Sequence, residues 1–192
     1  PQTRFDMMPL SPFRTFLMPR LRPALLLLSV ACLCLAACSP RYNWREASDN
    51  GAHFVVLLPA KPASVTRPVD LDGPKVDMSM TAAEVDGLTF AVGTAELPDA
   101  AAANRALEAM RTALLNNIGG QPQGAPLWPG KTTGLARTLD LDARGVSRGR
   151  PLRLVARLAV RERRVYQILI VGEEKAFTEE NIETFFSSFK PT

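Results

Sequence analysis

The stretch Val76-Asp77-Met78-Ser79-Met80-Thr81-Ala82-Ala83-Glu84-Val85-Asp86-Gly87-Leu88-Thr89-Phe90-Ala91-Val92 decides the fold. Val76, Met78, Met80 and Ala82 alternate with Asp77, Ser79 and Thr81, a period of two that places the apolar set on one face of a strand. Asp86-Gly87 is a two-residue hairpin signal, because both positions tolerate positive φ. Leu88 to Glu96 then reads as the returning strand. Two long strands joined by a tight turn require an antiparallel sheet with one face on a core.

Working outward, His53 to Leu58 is a β-rich run stopped by Pro59. Ser64 to Leu71 reads as an edge strand, because Pro68 has no N–H to give to a ladder. Downstream, Pro98-Asp99 opens a helix with Asp99 as N-cap. Ala103, Leu107, Met110, Leu114 and Ile118 then fall on one helical face, and Gly119-Gly120 ends it. Three more strands are expected over about 132–142, 151–161 and 164–171. Thr178 caps a last helix with Glu179 and Glu180 in its first turn, where they complement the dipole. Ile182, Phe185, Phe186 and Phe189 form its apolar stripe, and Pro191 stops it. The expectation is an α+β fold: a mostly antiparallel sheet of about 6–7 strands with two main helices packed on it.

The N-terminal segment reads as an address. After Arg20 and Arg22, residues 24–37 carry no charge, and the run ends in Leu35-Ala36-Ala37-Cys38. A short basic region, an apolar run of roughly 7–15 residues and then small residues make a secretory signal. The run is shorter than the roughly 20 residues a transmembrane helix needs. Its end resembles the bacterial lipobox, which implies cleavage between Ala37 and Cys38 and lipidation of the Cys38 thiol. Two or more acyl chains anchor a protein stably where one does not. Ser39 after the cysteine resembles the sorting signal for the outer membrane of Gram-negative cells. The expected organisation is a 1–37 leader with its start at Met18, a lipidated tether over 38–50, and one domain over 51–192. Cys32 and Cys34 leave with the leader, so the mature domain has no disulfide and is held by its core alone.

The formal net charge of +4 suggests a polyanion partner at first sight. Arg4, Arg14, Arg20 and Arg22 lie in the leader against Asp6 alone, so the rest of the chain is close to neutral. Nucleic acid is disfavoured as a partner by compartment and by the scarcity of aromatic residues among the bases. His53 is the single histidine, which excludes a multi-His zinc site. No cofactor and no metal are expected.

Three short motifs carry a family resemblance. They are His53-Phe54-Val55-Val56-Leu57-Leu58-Pro59, the Leu127-Trp128-Pro129-Gly130 loop before a strand, and the Phe185-Phe186-Ser187-Ser188-Phe189-Lys190 end. In this order they resemble the PsbP/Mog1-like α/β/α sandwich group, including its uncharacterised bacterial members, over about residues 44–190. The resemblance implies a binding or assembly factor without shared catalytic residues.

Several motifs invite catalytic readings. Gly145-Val146-Ser147-Arg148-Gly149 matches G-x-S-x-G, but it falls between two expected strands and no histidine follows Ser147. Gly130-Lys131-Thr132 resembles the end of a P-loop, yet five residues rather than four separate Gly124 from Gly130. Asp140 with Asp142, and Asp70 with Asp72, each place two carboxylates on one strand face. Such pairs suit Ca²⁺ or acid–base work, but Ca²⁺ needs six to eight oxygens. The local alternative is a cross-strand ion pair of Asp140 or Asp142 with Arg153.

Nine arginines fall between Arg137 and Arg164, and Arg153, Arg157 and Arg161 share one strand face. Arginine suits bidentate contact with phosphate and carboxylate. These three are the candidate anion or partner contacts, and Trp128 is a candidate contact loop. The expected function is a membrane-anchored lipoprotein facing the periplasm, with a non-enzymatic binding or envelope-assembly role toward anionic head groups or an acidic partner. The alternatives are a small envelope hydrolase using Ser147 or the Asp140/Asp142 pair, and a purely structural envelope protein.

Overall fold

In the computed structural model, residues 41–48, 51, 53–73, 75–124, 134–147 and 149–192 are described, and they belong to one unit, Arg41–Thr192. The element order is β1 (Arg45–Ser48), β2 (Phe54–Leu58), β3 (Ala63–Asp70), β4 (Lys75–Val85), β5 (Leu88–Glu96), α1 (Ala100–Ile118), β6 (Gln121–Pro122), β7 (Arg137–Ser147), β8 (Arg150–Arg161), β9 (Arg164–Glu173), a 3₁₀ turn (Glu174–Ala176), α2 (Glu179–Ser188) and β10 (Lys190–Pro191). The fold is α+β, as expected. Seven strands form one sheet in the order β3-β4-β5-β9-β8-β7-β6, and every pairing is antiparallel. The other three form a small antiparallel sheet, β1-β2-β10.

The deciding hairpin forms at the expected residues. Val85 pairs with Leu88, and the turn residues Asp86 and Gly87 have φ of 50° and 77°. Positive φ at both positions gives a turn whose twist matches that of the strands. β3 is the edge strand that Pro68 demanded. α1 starts at its cap, where the Asp99 side chain accepts from the Ala102 N–H at 2.7 Å. It ends where Gly119 turns left-handed and the Gly120 N–H reaches the Leu115 carbonyl at 2.9 Å.

Each face of the large sheet has its own core. On one, Leu154, Ala156, Leu158 and Val160 of β8 pack with Leu107, Met110 and Leu114 of α1. On the other, Phe90, Val155 and Ile168 pack with Phe185 of α2 and with Val56 and Leu58 of the small sheet. The second core is aromatic: Phe90 meets Trp44, Tyr42 and Phe185 edge-on, and Phe189 lies between Phe54 and Tyr166.

Four expectations change. The segment read as part of a 38–50 tether carries β1, and Tyr42 and Trp44 ahead of it pack on the second core. Aromatic burial on Phe90 overrides the polar look of that stretch. The strand expected over 132–142 is Arg137–Ser147, and 132–133 lie outside the described residues. It runs on through Gly145 in register with β8, and the missing side chain there leaves room for the Ile118 carbonyl at the end of α1. Asp70 and Asp72 do not share a strand face: β3 ends at Asp70, and Asp72 sits in the turn with φ of 62°. The chain after α2 adds a short strand to β2 rather than simply stopping at Pro191.

Candidate functional site

The three arginines of β8 have different fates. Alternation puts Asp140, Asp142 and Arg144 of β7 on the same side as Arg153, Arg157 and Arg161, the side that carries α2. Asp140 is directly opposite Arg157, and Asp142 is diagonal to Arg153. Arg157 donates from Nε and Nη2 to Asp140 at 2.7 and 2.8 Å. Arg153 donates from Nε and Nη2 to Asp142 at 3.1 and 2.6 Å. Its guanidinium also lies over the Phe177 ring, 5.2 Å from the centroid. The hydrogen bond to Asp142 raises the Arg153 pKa against the opposing cost of burial.

Arg153 and Arg157 are therefore held by carboxylates in fork geometry, with only 18% and 7% of their side chains exposed. The local alternative from sequence is observed for Asp142 and Arg153, and the same arrangement joins Asp140 to Arg157. A three-arginine stripe open to anions is not what the register builds. Arg144, opposite Arg153, is drawn outward to Glu174 at 2.6 Å, which relieves the juxtaposition of two cations.

Arg161 lies at the far end of β8 and makes no ion pair among the described residues. It lines a cleft of about 280 Å³ with Glu162, Arg163, Arg164, Glu96 and Tyr166, and with His53 and Thr192 at the small sheet. Glu96 is shared: one carboxylate oxygen accepts from Arg163 at 2.5 Å, the other from Arg164 at 2.7 Å. The Tyr166 hydroxyl donates to the His53 carbonyl at 3.0 Å, and the Thr192 N–H reaches the same oxygen at 2.9 Å. Burial pushes the Tyr166 phenol above its ordinary pKa, so it stays a neutral donor. The side chains of the cleft include three guanidiniums and two carboxylates. That composition suits a carboxylate or phosphate group.

Glu96 and Tyr166 were missed by sequence reasoning. Glu96 lies on β5, far in sequence from Arg161, so only sheet order brings it there; Tyr166 follows on β9, where register with β8 turns it to the face of Arg161. The available signal was the four-residue turn Arg161-Glu162-Arg163-Arg164, which concentrates bases at one hairpin end.

This fold does not bring Ser147 and His53 together. Ser147 pairs with Arg150 at one end of β8, whereas His53 lines the cleft at the other end with Arg161. The twelve residues of β8 span about 36 Å, far beyond proton-transfer reach. Among the described residues, no three His, Cys, Asp or Glu side chains gather as a metal site. No helix among them is long and apolar enough to cross a membrane. Ala37, Cys38, Trp128 and the Gly130-Lys131-Thr132 stretch lie outside the described residues. Compared with known proteins, the chain matches no family model and no curated protein sequence.

Proposed function

We propose that this chain is a lipoprotein anchored through Cys38 on the periplasmic face of the outer membrane, with a non-enzymatic binding or assembly role. The observation that carries the anchor is Leu35-Ala36-Ala37-Cys38 at the end of an uncharged run preceded by Arg20 and Arg22. Acyl chains on Cys38 would hold the domain at the lipid surface without a membrane-spanning segment. The finer fold assignment is a PsbP/Mog1-like α/β/α sandwich. It is supported by the motif order and by helices on both faces of an antiparallel sheet.

The binding role rests on the Arg161 cleft. Arg153 and Arg157 serve the β7–β8 ladder, and Arg161 is the member of the stripe that keeps its charge for a ligand. The ligand class is an anionic group, a carboxylate or phosphate, presented by a partner.

Two measurements test this reading. A fatty-acid analogue should label the wild-type chain and not Cys38→Ser; equal labelling overturns the anchor. A photocrosslinker at Glu162, in the cleft lining, should capture an acidic partner in cells, and Arg161→Ala should reduce capture at least several-fold. Unchanged capture in Arg161→Ala overturns the cleft as the binding site.

A further inference from the structure

The register of the sheet sorts the charged turns into two opposite ends. Arg153 is opposite Gly172, and Gly172 is opposite Leu88. The Asp86-Gly87 turn, the β7–β8 hairpin and the Glu174–Ala176 turn therefore share one end. Glu96 is opposite Arg164, which is opposite Arg161, so the Arg161 cleft is at the other. The nine residues of β5 separate the two ends by about 27 Å.

The chain enters the domain at the first of these ends. Arg41 reaches Asp86 at 3.7 Å, the Asn43 N–H donates to the Pro59 carbonyl at 2.8 Å, and Tyr42 and Trp44 lie against Phe90. Cys38 precedes Arg41 by three residues, which span at most about 11 Å. An acylated Cys38 thus keeps this end beside the lipid.

The end is also built for contact. Ser147 and Arg150 lie three positions beyond the Arg153–Gly172 level, about 10 Å along the strands, with the end of α1 beside Val146 and the Glu174–Ala176 turn beside Arg150. Val146 on that hairpin is 60% exposed, the most exposed large apolar side chain among the described residues. At this end of the sheet the cation is the more exposed member of each of three ion pairs. Arg41, Arg150 and Lys175 are 82%, 70% and 85% exposed, against 39% for Asp86 and 34% for Glu173. Arg144 and Glu174 cancel each other. Exposed cations at the sheet end that also bears an exposed apolar side chain complement an anionic lipid surface.

We infer that the β7–β8 hairpin docks on an anionic phospholipid surface and turns the Arg161 cleft away from it. The inference rests on the proposed acylation of Cys38. It deepens the functional reading, because it makes the cleft's ligand a group on a soluble or facing partner rather than a head group of the anchoring membrane.

The test uses the full acylated protein in vesicles of phosphatidylethanolamine and phosphatidylglycerol. An environment-sensitive fluorophore is attached through Val146→Cys in one variant and Arg163→Cys in another. Lipids brominated near the glycerol should quench the label at 146 several-fold more than the label at 163, and omitting phosphatidylglycerol should weaken that quenching. Equal quenching, or none at 146, in protein whose acyl chains are confirmed by mass overturns the docking alone. Protein lacking acyl chains at Cys38 overturns the lipoprotein reading, and the docking with it.

Discussion

Asp142 and Arg153 are diagonal neighbours across the β7–β8 ladder and meet through both carboxylate oxygens, at 3.1 Å to Nε and 2.6 Å to Nη2. With Asp142 9% and Arg153 18% exposed, this is an interior ion pair rather than a surface one. Its charge is consumed inside the protein. Arg161, on the same face of the same strand, keeps its charge at the sheet end.

This contrast predicts opposite mutational behaviour. Asp142→Ala leaves a largely buried guanidinium unpaired and should cost about 2 kcal/mol, less than the roughly 3–5 of a fully dry pair because water still reaches Arg153. The joint replacement Asp142→Leu with Arg153→Met should recover most of that loss. Arg161→Ala should change stability by no more than about 0.5 kcal/mol. Urea denaturation of the three variants checks the order.

The close backbone approaches at Gly145 and Gly172 predict a second set of losses. A Cβ at Gly145 would meet the Ile118 carbonyl, and one at Gly172 would meet the Gly87 carbonyl. Because the obstacle is backbone in both cases, each Gly→Ala change should cost about 1–3 kcal/mol. Alanine at Gly51, which has open space around it, is the control. Thermal unfolding of the three variants measures the difference.

Tyr166 predicts a loss of stability in alkali. Burial raises its pKa above the ordinary value of about 10, so the native state holds a proton that the unfolded state releases first. Stability is then unaffected below about pH 10 and falls as pH rises from there to the folded-state value. Tyr166→Phe should remove this component of the alkaline loss. It should also cost about 1 kcal/mol at neutral pH for the hydrogen bond to the His53 carbonyl. Denaturation curves across alkaline pH, with phenolate absorbance as the titration readout, test the sign.

The N-terminal boundary predicts a truncation result. Trp44 packs on Phe90 at 5.8 Å between ring centroids, and β1 completes the small sheet. Trp44→Ala should cost about 2 kcal/mol, reduced from the full burial value because the indole is half-buried. A chain beginning at Gly51 should lose at least as much as Trp44→Ala. Equal stability of the two truncation products beginning at Arg41 and at Gly51 would show that residues 41–50 are only a tether.

Local chemistry made much of the fold legible. Strands β4 and β5, helix α1 with its Asp99 cap and Gly119 end, and helix α2 with its Thr178 cap all lie where periodicity and capping place them. β1 was not legible, because Arg45-Glu46-Ala47-Ser48 has no β pattern of its own and is held by pairing with β2 and by the aromatics before it. The site was legible in part. The arginines were evident, but their availability depended on partners that are not adjacent in sequence: Arg157 finds Asp140, and Arg164 finds Glu96, which is 68 residues away.

The sequence by itself determined the hairpin-rich α+β class, the ends of both helices and the run before Cys38, because turns, caps and apolar periods act within a few residues. The tertiary structure alone decided which arginines are spent and which remain. It did so through register: one step along β8 moves a side chain from the face of α1 to the face of the arginines, and position along that face decides whether a guanidinium meets a carboxylate or a cleft. It also decided that the chain enters at the end bearing Val146 and opposite Arg161, since only strand order relates one turn to another across the sheet.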